Sequence, residues 1–107
     1  MPIHKKGFNA LLLEALDEGL QSTLGESGKT VVYYHFQNSC GVRREGIPEK
    51  PEVFSEFLNR LFGFGAKIIE EAILKSLCSK LGIEYEEVKN AKFTDYLRKL
   101  AEKNGKN

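Results

Sequence analysis

Thr23-Leu24-Gly25-Glu26-Ser27-Gly28-Lys29-Thr30, running on into Val31-Val32-Tyr33-Tyr34-His35-Phe36, is the stretch on whose reading the fold depends. Gly28, Lys29 and Thr30 match the close of the phosphate-binding pattern G-x-x-x-x-G-K-[ST]. In such a loop, backbone amides wrap the phosphates, the lysine reaches the terminal ones and the hydroxyl holds magnesium. Here the first glycine position is Thr23, and the preceding Gly19-Leu20-Gln21-Ser22 continues a helical pattern rather than a buried strand. No later apolar run ending in aspartate offers a magnesium partner. The pattern reads better as a turn between two helices, with Gly25 ending one and Ser27 capping the next. Gly25, Gly28, Lys29 and Thr30 are the candidate phosphate or nucleotide ligands if that turn presents its amides.

On the N-terminal side, Phe8, Leu12, Leu16, Leu20 and Leu24 recur every four residues, with Leu13 widening the stripe. Glu14, Asp17, Glu18 and Gln21 fall on other faces, so 8–24 is predicted as an amphipathic helix. On the C-terminal side, the β-branched and aromatic residues of 30–36 favour a strand by propensity. A strand must pair, however, and the chain offers no convincing second one. Val32 and Phe36 are four apart and Gly41 follows where a cap belongs, so the segment is predicted as helix, with a strand as the alternative.

Further along, Gly46-Ile47-Pro48-Glu49-Lys50-Pro51 is a loop, and Pro51 suits the first turn of a helix with Glu52 at its positive end. Val53, Phe54, Phe57, Leu58, Leu61 and Phe62 give that helix an apolar side, and Gly63 stops it. A further helix runs from Gly65 or Ala66 to Leu81, closed by Gly82, with Ile69, Ile73 and Leu77 as its spine. Phe93, Tyr96, Leu97 and Leu100 mark a last helix. The expected fold is all-α: one domain over 1–107, a compact antiparallel bundle of about five short helices, with 1–6 and 103–107 frayed.

Composition agrees with a packed core. Hydrophobic residues make up 41% and charged residues 29% of the 107, too apolar for disorder. A formal charge of +1 supplies no global attraction to nucleic acid or anionic lipid. No apolar run approaches the roughly 20 residues of a membrane span. Glu14, Asp17 and Glu18 interrupt any signal-peptide core, so a cytoplasmic location is expected. Two cysteines, Cys40 and Cys78, are too few for a disulfide scaffold.

Several of these segments carry a resemblance. Leu24-Gly25-Glu26-Ser27 leading to Val32-Tyr33-Tyr34-His35, then Ile47-Pro48, Pro51-Glu52, Phe54-Ser55-Glu56, Gly65-Ala66-Lys67-Ile68 and Leu77 through Leu81-Gly82, is similar to a family of small archaeal helical proteins of unknown function. The similarity covers most of residues 8–82. It implies a helical fold, a prokaryotic cytoplasm, and a signalling or assembly role, and it brings no catalytic residues.

Chemistry is sparse elsewhere. His35, Cys40, Cys78 and His4 include zinc-ligating atom types but lack tightly spaced ligand pairs, so no metal or other cofactor is expected. Cys40 with His35 lacks the surroundings of a nucleophile. Glu70-Glu71 and Glu86-Glu87 are adjacent acids pointing about 100° apart, which solvated helix faces explain. Gly63-Phe64-Gly65, with Lys67, reads as a turn between packed helices before it reads as an anion site.

From 89 onward, Lys89, Lys92, Arg98, Lys99, Lys103 and Lys106 outnumber Asp95 and Glu102, and Tyr96 lies among them. Lysines collect near helix C-termini for the dipole's sake, so nucleic-acid binding through this helix ranks as a second alternative. A wide apolar arc on 66–81 together with the leucine stripe on 8–24 exceeds what one small core consumes. The leading expectation is therefore a non-catalytic interaction or regulatory module that self-associates as a homodimer or binds another protein, with Ile69, Ile73 and Leu77 at the interface. A nucleotide-binding regulator using Gly25 to Thr30 is the first alternative.

Overall fold

A straight helix of 33 residues would be about 50 Å long at 1.5 Å per residue, yet the longest dimension of this protein is 40 Å. The first helix, α1 (Phe8–Cys40), fits because it bends back on itself at Gly25. The computed structural model describes residues 7–87 and 91–104. Gly25 alone leaves helical geometry, at φ 81° and ψ 170°, a conformation open essentially to glycine only. The Tyr33 hydroxyl consequently lies 2.8 Å from the Asp17 carboxylate. Sixteen residues apart on a straight rod, the two would be separated by about 24 Å.

Gly28 serves the same bend. A Cβ there would sit 2.6 Å from the Leu24 Cβ, so the second arm can close over the first only where that position has no side chain. The break expected at Gly25 is therefore real, and α1 consists of two helical arms joined there. Among the described residues there are four α-helices, the first of them broken into two arms at Gly25. Residues 30–36 are helical, and no strand occurs among the described residues. Propensity loses at Val31-Val32-Tyr33 because Val32 and Phe36, four apart, both reach the core.

Gly41 closes α1, its amide bonding to the Gln37 carbonyl at 2.9 Å. A 3₁₀ turn (Arg44–Glu49) buries Ile47 and leads to α2 (Pro51–Phe62), which starts on its proline as expected. A second short 3₁₀ turn (Gly63–Gly65) joins α2 to α3 (Ala66–Leu81), and α4 (Phe93–Lys103) follows after an irregular segment. Among the described residues, no helix is long and apolar enough to cross a membrane.

The core is where the four helices meet. Leu12, Leu16 and Leu20 of α1 face α3, whose Ile69, Ile73 and Leu77 are 3%, 0% and 0% exposed. This corrects the expectation that those three residues remain for a partner: the doubled-back α1 supplies enough apolar surface to cover them within one chain. The α1–α3 approach is close because Gly19 lies at the crossing, where a Cβ would be 2.8 Å from the Ile73 Cα and backbone nitrogen. Phe36 fixes the second arm of α1 to α2 through edge-on and tilted contacts with Phe54 and Phe57, ring centres 5.1 and 5.2 Å apart. Such pairs add roughly 0.5–1.5 kcal/mol each beyond the area they bury. Phe93, Leu97 and Leu100 lay α4 against this assembly.

Candidate functional site

The residues that resembled a phosphate loop are committed to the bend. Lys29 Nζ lies 3.4 Å from Glu26 Oε2, and the Thr30 hydroxyl donates to the Glu26 carbonyl at 3.2 Å. Gly25 and Gly28 are accounted for by backbone conformation and by the space that Leu24 needs. Gly25, Gly28, Lys29 and Thr30 thus form a corner inside α1, where a phosphate loop would place a free loop ahead of a helix.

That corner organises a charged cluster. Arg44 grips Asp17 with two hydrogen bonds, Nε to Oδ1 at 2.9 Å and Nη2 to Oδ2 at 2.7 Å, while Tyr33 donates to Oδ1. Burial opposes ionisation of Asp17, but the bonds from Arg44 and Tyr33, with the nearby charge of Lys29, outweigh it and hold its pKa below the ordinary 3.8. Burial and the Asp17 carboxylate push the Tyr33 hydroxyl upward, so it stays protonated. Each donor meets an acceptor and each charge a counter-charge. The cluster is a brace holding the two arms of α1 to the Arg44 turn.

A second polar group lies between α2 and α3. Ser55 and Asn59, four apart on α2, face Glu70 on α3: the Ser55 hydroxyl donates to Oε2 at 2.7 Å and Asn59 Nδ2 to the same oxygen at 3.5 Å. These residues line a cleft of about 370 Å³, to whose lining Tyr85 and Tyr96 also belong. The two rings stack with centres 5.6 Å apart, and Tyr96 also accepts the Glu86 amide at 3.0 Å. Lys75 Nζ sits 5.6 Å from the centre of the Tyr85 ring, so that ring already holds a cation. Burial raises the Glu70 pKa above the ordinary 4.5, against the lowering pull of Ser55, Asn59 and the charge of Lys67.

Sequence reasoning placed Glu70 and Glu71 on a solvated face, and both are half-buried. The available signal was the pair Ser55 and Asn59, polar residues one turn apart on the side of α2 next to its apolar stripe. Only the packing of α2 on α3 tells which acid they meet.

The third feature is apolar. At the α2–α3 corner Leu61, Phe64 and Ile68 are 49%, 102% and 65% exposed. Leu61 was expected in the core of α2. It lies outside because the helix ends one residue later, beyond the reach of α1. Phe64 stands between Gly63 and Gly65 at the tip of the turn. A smaller exposed pair, Val31 and Tyr34, lies on the second arm of α1, where the His35 ring meets that of Tyr34 edge-on at 5.7 Å.

The remaining candidates are scattered. Cys40 is half-buried and Cys78 buried, and both are free thiols. His35 is exposed, and His4 lies outside the described residues. Among the described residues no three His, Cys, Asp or Glu side chains are grouped to hold a metal ion. Of the basic C-terminal residues, Arg98 pairs with Asp95 at 3.0 Å, and Lys89 and Lys106 lie outside the described residues. Tyr96 is turned to Tyr85 in the cleft wall. In comparisons with protein-family models, with curated proteins and with solved structures, none matches the chain.

Proposed function

We propose that the protein is a non-catalytic interaction module that self-associates through the surface made by Leu61, Phe64 and Ile68. The observation that carries the reading is Phe64, a full aromatic side chain in water at the tip of a turn whose two glycines hold no side chain to cover it. Aromatic residues are enriched at the centres of interfaces, where desolvating them is most favourable. Leu61 and Ile68 flank it within eight residues of chain. A formal charge of +1 gives two copies little mutual repulsion, which favours a second copy as the occupant. The free thiols of Cys40 and Cys78 are compatible with work in a reducing cytoplasm.

Three side chains cover less than the roughly 800 Å² per partner of a standard interface, so the association is weak and concentration-dependent. Sedimentation velocity over a wide concentration range tests it. The weight-average mass rises with concentration for the native chain and stays at the monomer value for Phe64→Ser. Because Phe64 is fully exposed, its replacement leaves the helical circular dichroism and the melting midpoint unchanged. A native chain that stays monomeric throughout overturns the proposal, as does association that persists in Phe64→Ser.

A further inference from the structure

The break in α1 is a single residue long. Residues on either side of it are helical, and only Gly25 departs, at φ 81° and ψ 170°. Turning that one residue to helical dihedrals would join the arms into a rod of about 50 Å, with no loop to reorganise. The bent form depends on two glycines. At position 25 any other L-residue would be strained by the left-handed φ. At position 28 a Cβ would lie 2.6 Å from the Leu24 Cβ. On a straight helix, side chains four residues apart are separated by about 5–6 Å, so that clash belongs to the bend. The straight form needs neither glycine, and glycine inside a helix is less favourable than alanine. Both positions therefore permit the bent form and oppose the straight one.

Straightening carries the first arm away from the rest of its own chain. The arm is held there by Leu12, Leu16 and Leu20 in the core, by Asp17 on Tyr33 and Arg44, and by Glu18 on Ser76 and Lys80. A lone straight chain would expose those leucines to water. A second straight copy offers the surface that receives them, and the fit is particular to this chain. Gly19 meets Ile73 so closely that a Cβ would lie 2.8 Å from its Cα. We propose that Gly25 is a hinge and that the chain has a second folded form, a dimer in which two copies exchange residues 8–24 across straightened α1 helices. Each contact of the arm is re-formed between the copies, so the two forms differ chiefly around the hinge. Short connections under constraint invite such exchange. Phe64 takes no part in it, so this dimer and the association through Phe64 stand or fall separately.

The test is made on the full chain carrying Phe64→Ser, so that any dimer reports exchange alone. Gly25→Ala and Gly28→Ala are added together, the chain is refolded from denaturant at high protein concentration, and sedimentation velocity is run. We expect a doubling of mass relative to the Phe64→Ser parent, which stays monomeric. The dimer survives dilution for the length of the run, because separating the copies requires both arms to leave the core. Refolding an equal mixture of isotope-labelled and unlabelled chains then gives cross-chain NMR contacts between the Leu16 and Leu20 methyls and those of Ile73. A folded monomer overturns the proposal, and so does a dimer whose Leu16–Ile73 contacts stay within one chain. Should the double variant lose its helical circular dichroism, Gly28→Ala alone decides, since the clash it introduces falls on the bent form only. That variant must also form the exchanged dimer, and its remaining monomeric overturns the proposal.

Discussion

The corner around Asp17 and the cleft around Glu70 are built from similar materials. Each has a half-buried carboxylate, a hydroxyl donating to it and a lysine nearby. At Asp17 a guanidinium completes the set with two short parallel bonds, and the carboxyl is held ionised. At Glu70 no lysine or arginine among the described residues makes an ion pair, and burial makes ionisation harder. The first arrangement joins two arms of a helix to the turn that follows, and the second leaves an opening. What separates them is whether the chain itself supplies the last charge. Where it does, a polar cluster is part of the fold. At Glu70 the donors among the described residues are neutral, and burial of the carboxylate is offset only in part.

Three experiments break or sharpen that contrast. The largest effect falls beside the Asp17 corner, at the crossing that sets how near α1 comes to α3. Gly19→Ala places a methyl group 2.6–2.8 Å from Ile73 atoms, two of them backbone, so the helices must separate. We expect a loss of about 3 kcal/mol, the upper part of the range for overpacking. Chemical denaturation would record it, and a loss under about 1 kcal/mol would mean that the crossing is looser than described.

Next is Asp17→Ala, which removes the acceptor for both Arg44 and Tyr33. Both side chains of the ion pair keep about a third of their exposure to water, so solvent compensates in part, and the expected loss is about 2 kcal/mol. In a domain of this size that lowers the melting midpoint by about 8–16 °C.

The smallest effect, and the most telling, is Glu70→Gln. Since burial disfavours the Glu70 carboxylate, the neutral amide is expected to leave stability unchanged or raise it by under about 1 kcal/mol. The two acids should also respond oppositely to acid. Asp17 has a lowered pKa, so its contribution is present above its ordinary value of 3.8 and is lost as the pH falls through the folded value. Glu70 has a raised pKa, so its penalty applies at neutral pH and is relieved as the pH falls through its folded value. Melting curves of the native chain, Asp17→Ala and Glu70→Gln from about pH 7 to about pH 3 would separate the two slopes. Parallel slopes would erase the distinction between brace and opening.

The two polar regions were also unequally legible in the sequence. Gly25 could be read as a break because glycine ends helices through a local backbone preference. Gly28 looked like half of a phosphate motif, and its reason, the Leu24 side chain lying over it, exists only once the helix has doubled back. Asp17, Tyr33 and Arg44 are far apart in sequence and unremarkable singly. Ile69, Ile73 and Leu77 form the spine of α3 as their spacing predicts, but the apolar arc around them is covered within the chain, where a partner was expected. Leu61 was counted into the core by period alone, although the helix ends too soon for it to be covered.

By itself, the sequence determined the helices: four-residue apolar spacing sets which face is buried, Pro51 starts α2, and Gly41, Gly63 and Gly82 end their segments. These are local effects, decided within a few turns of chain. The tertiary structure alone decided that Asp17, Tyr33 and Arg44 meet across the bend of α1, that the α3 spine is consumed within the molecule, that Phe64 is left in water, and that Glu70 faces Ser55 and Asn59. Each depends on which surfaces meet across tens of residues, and neither spacing nor propensity carries that information.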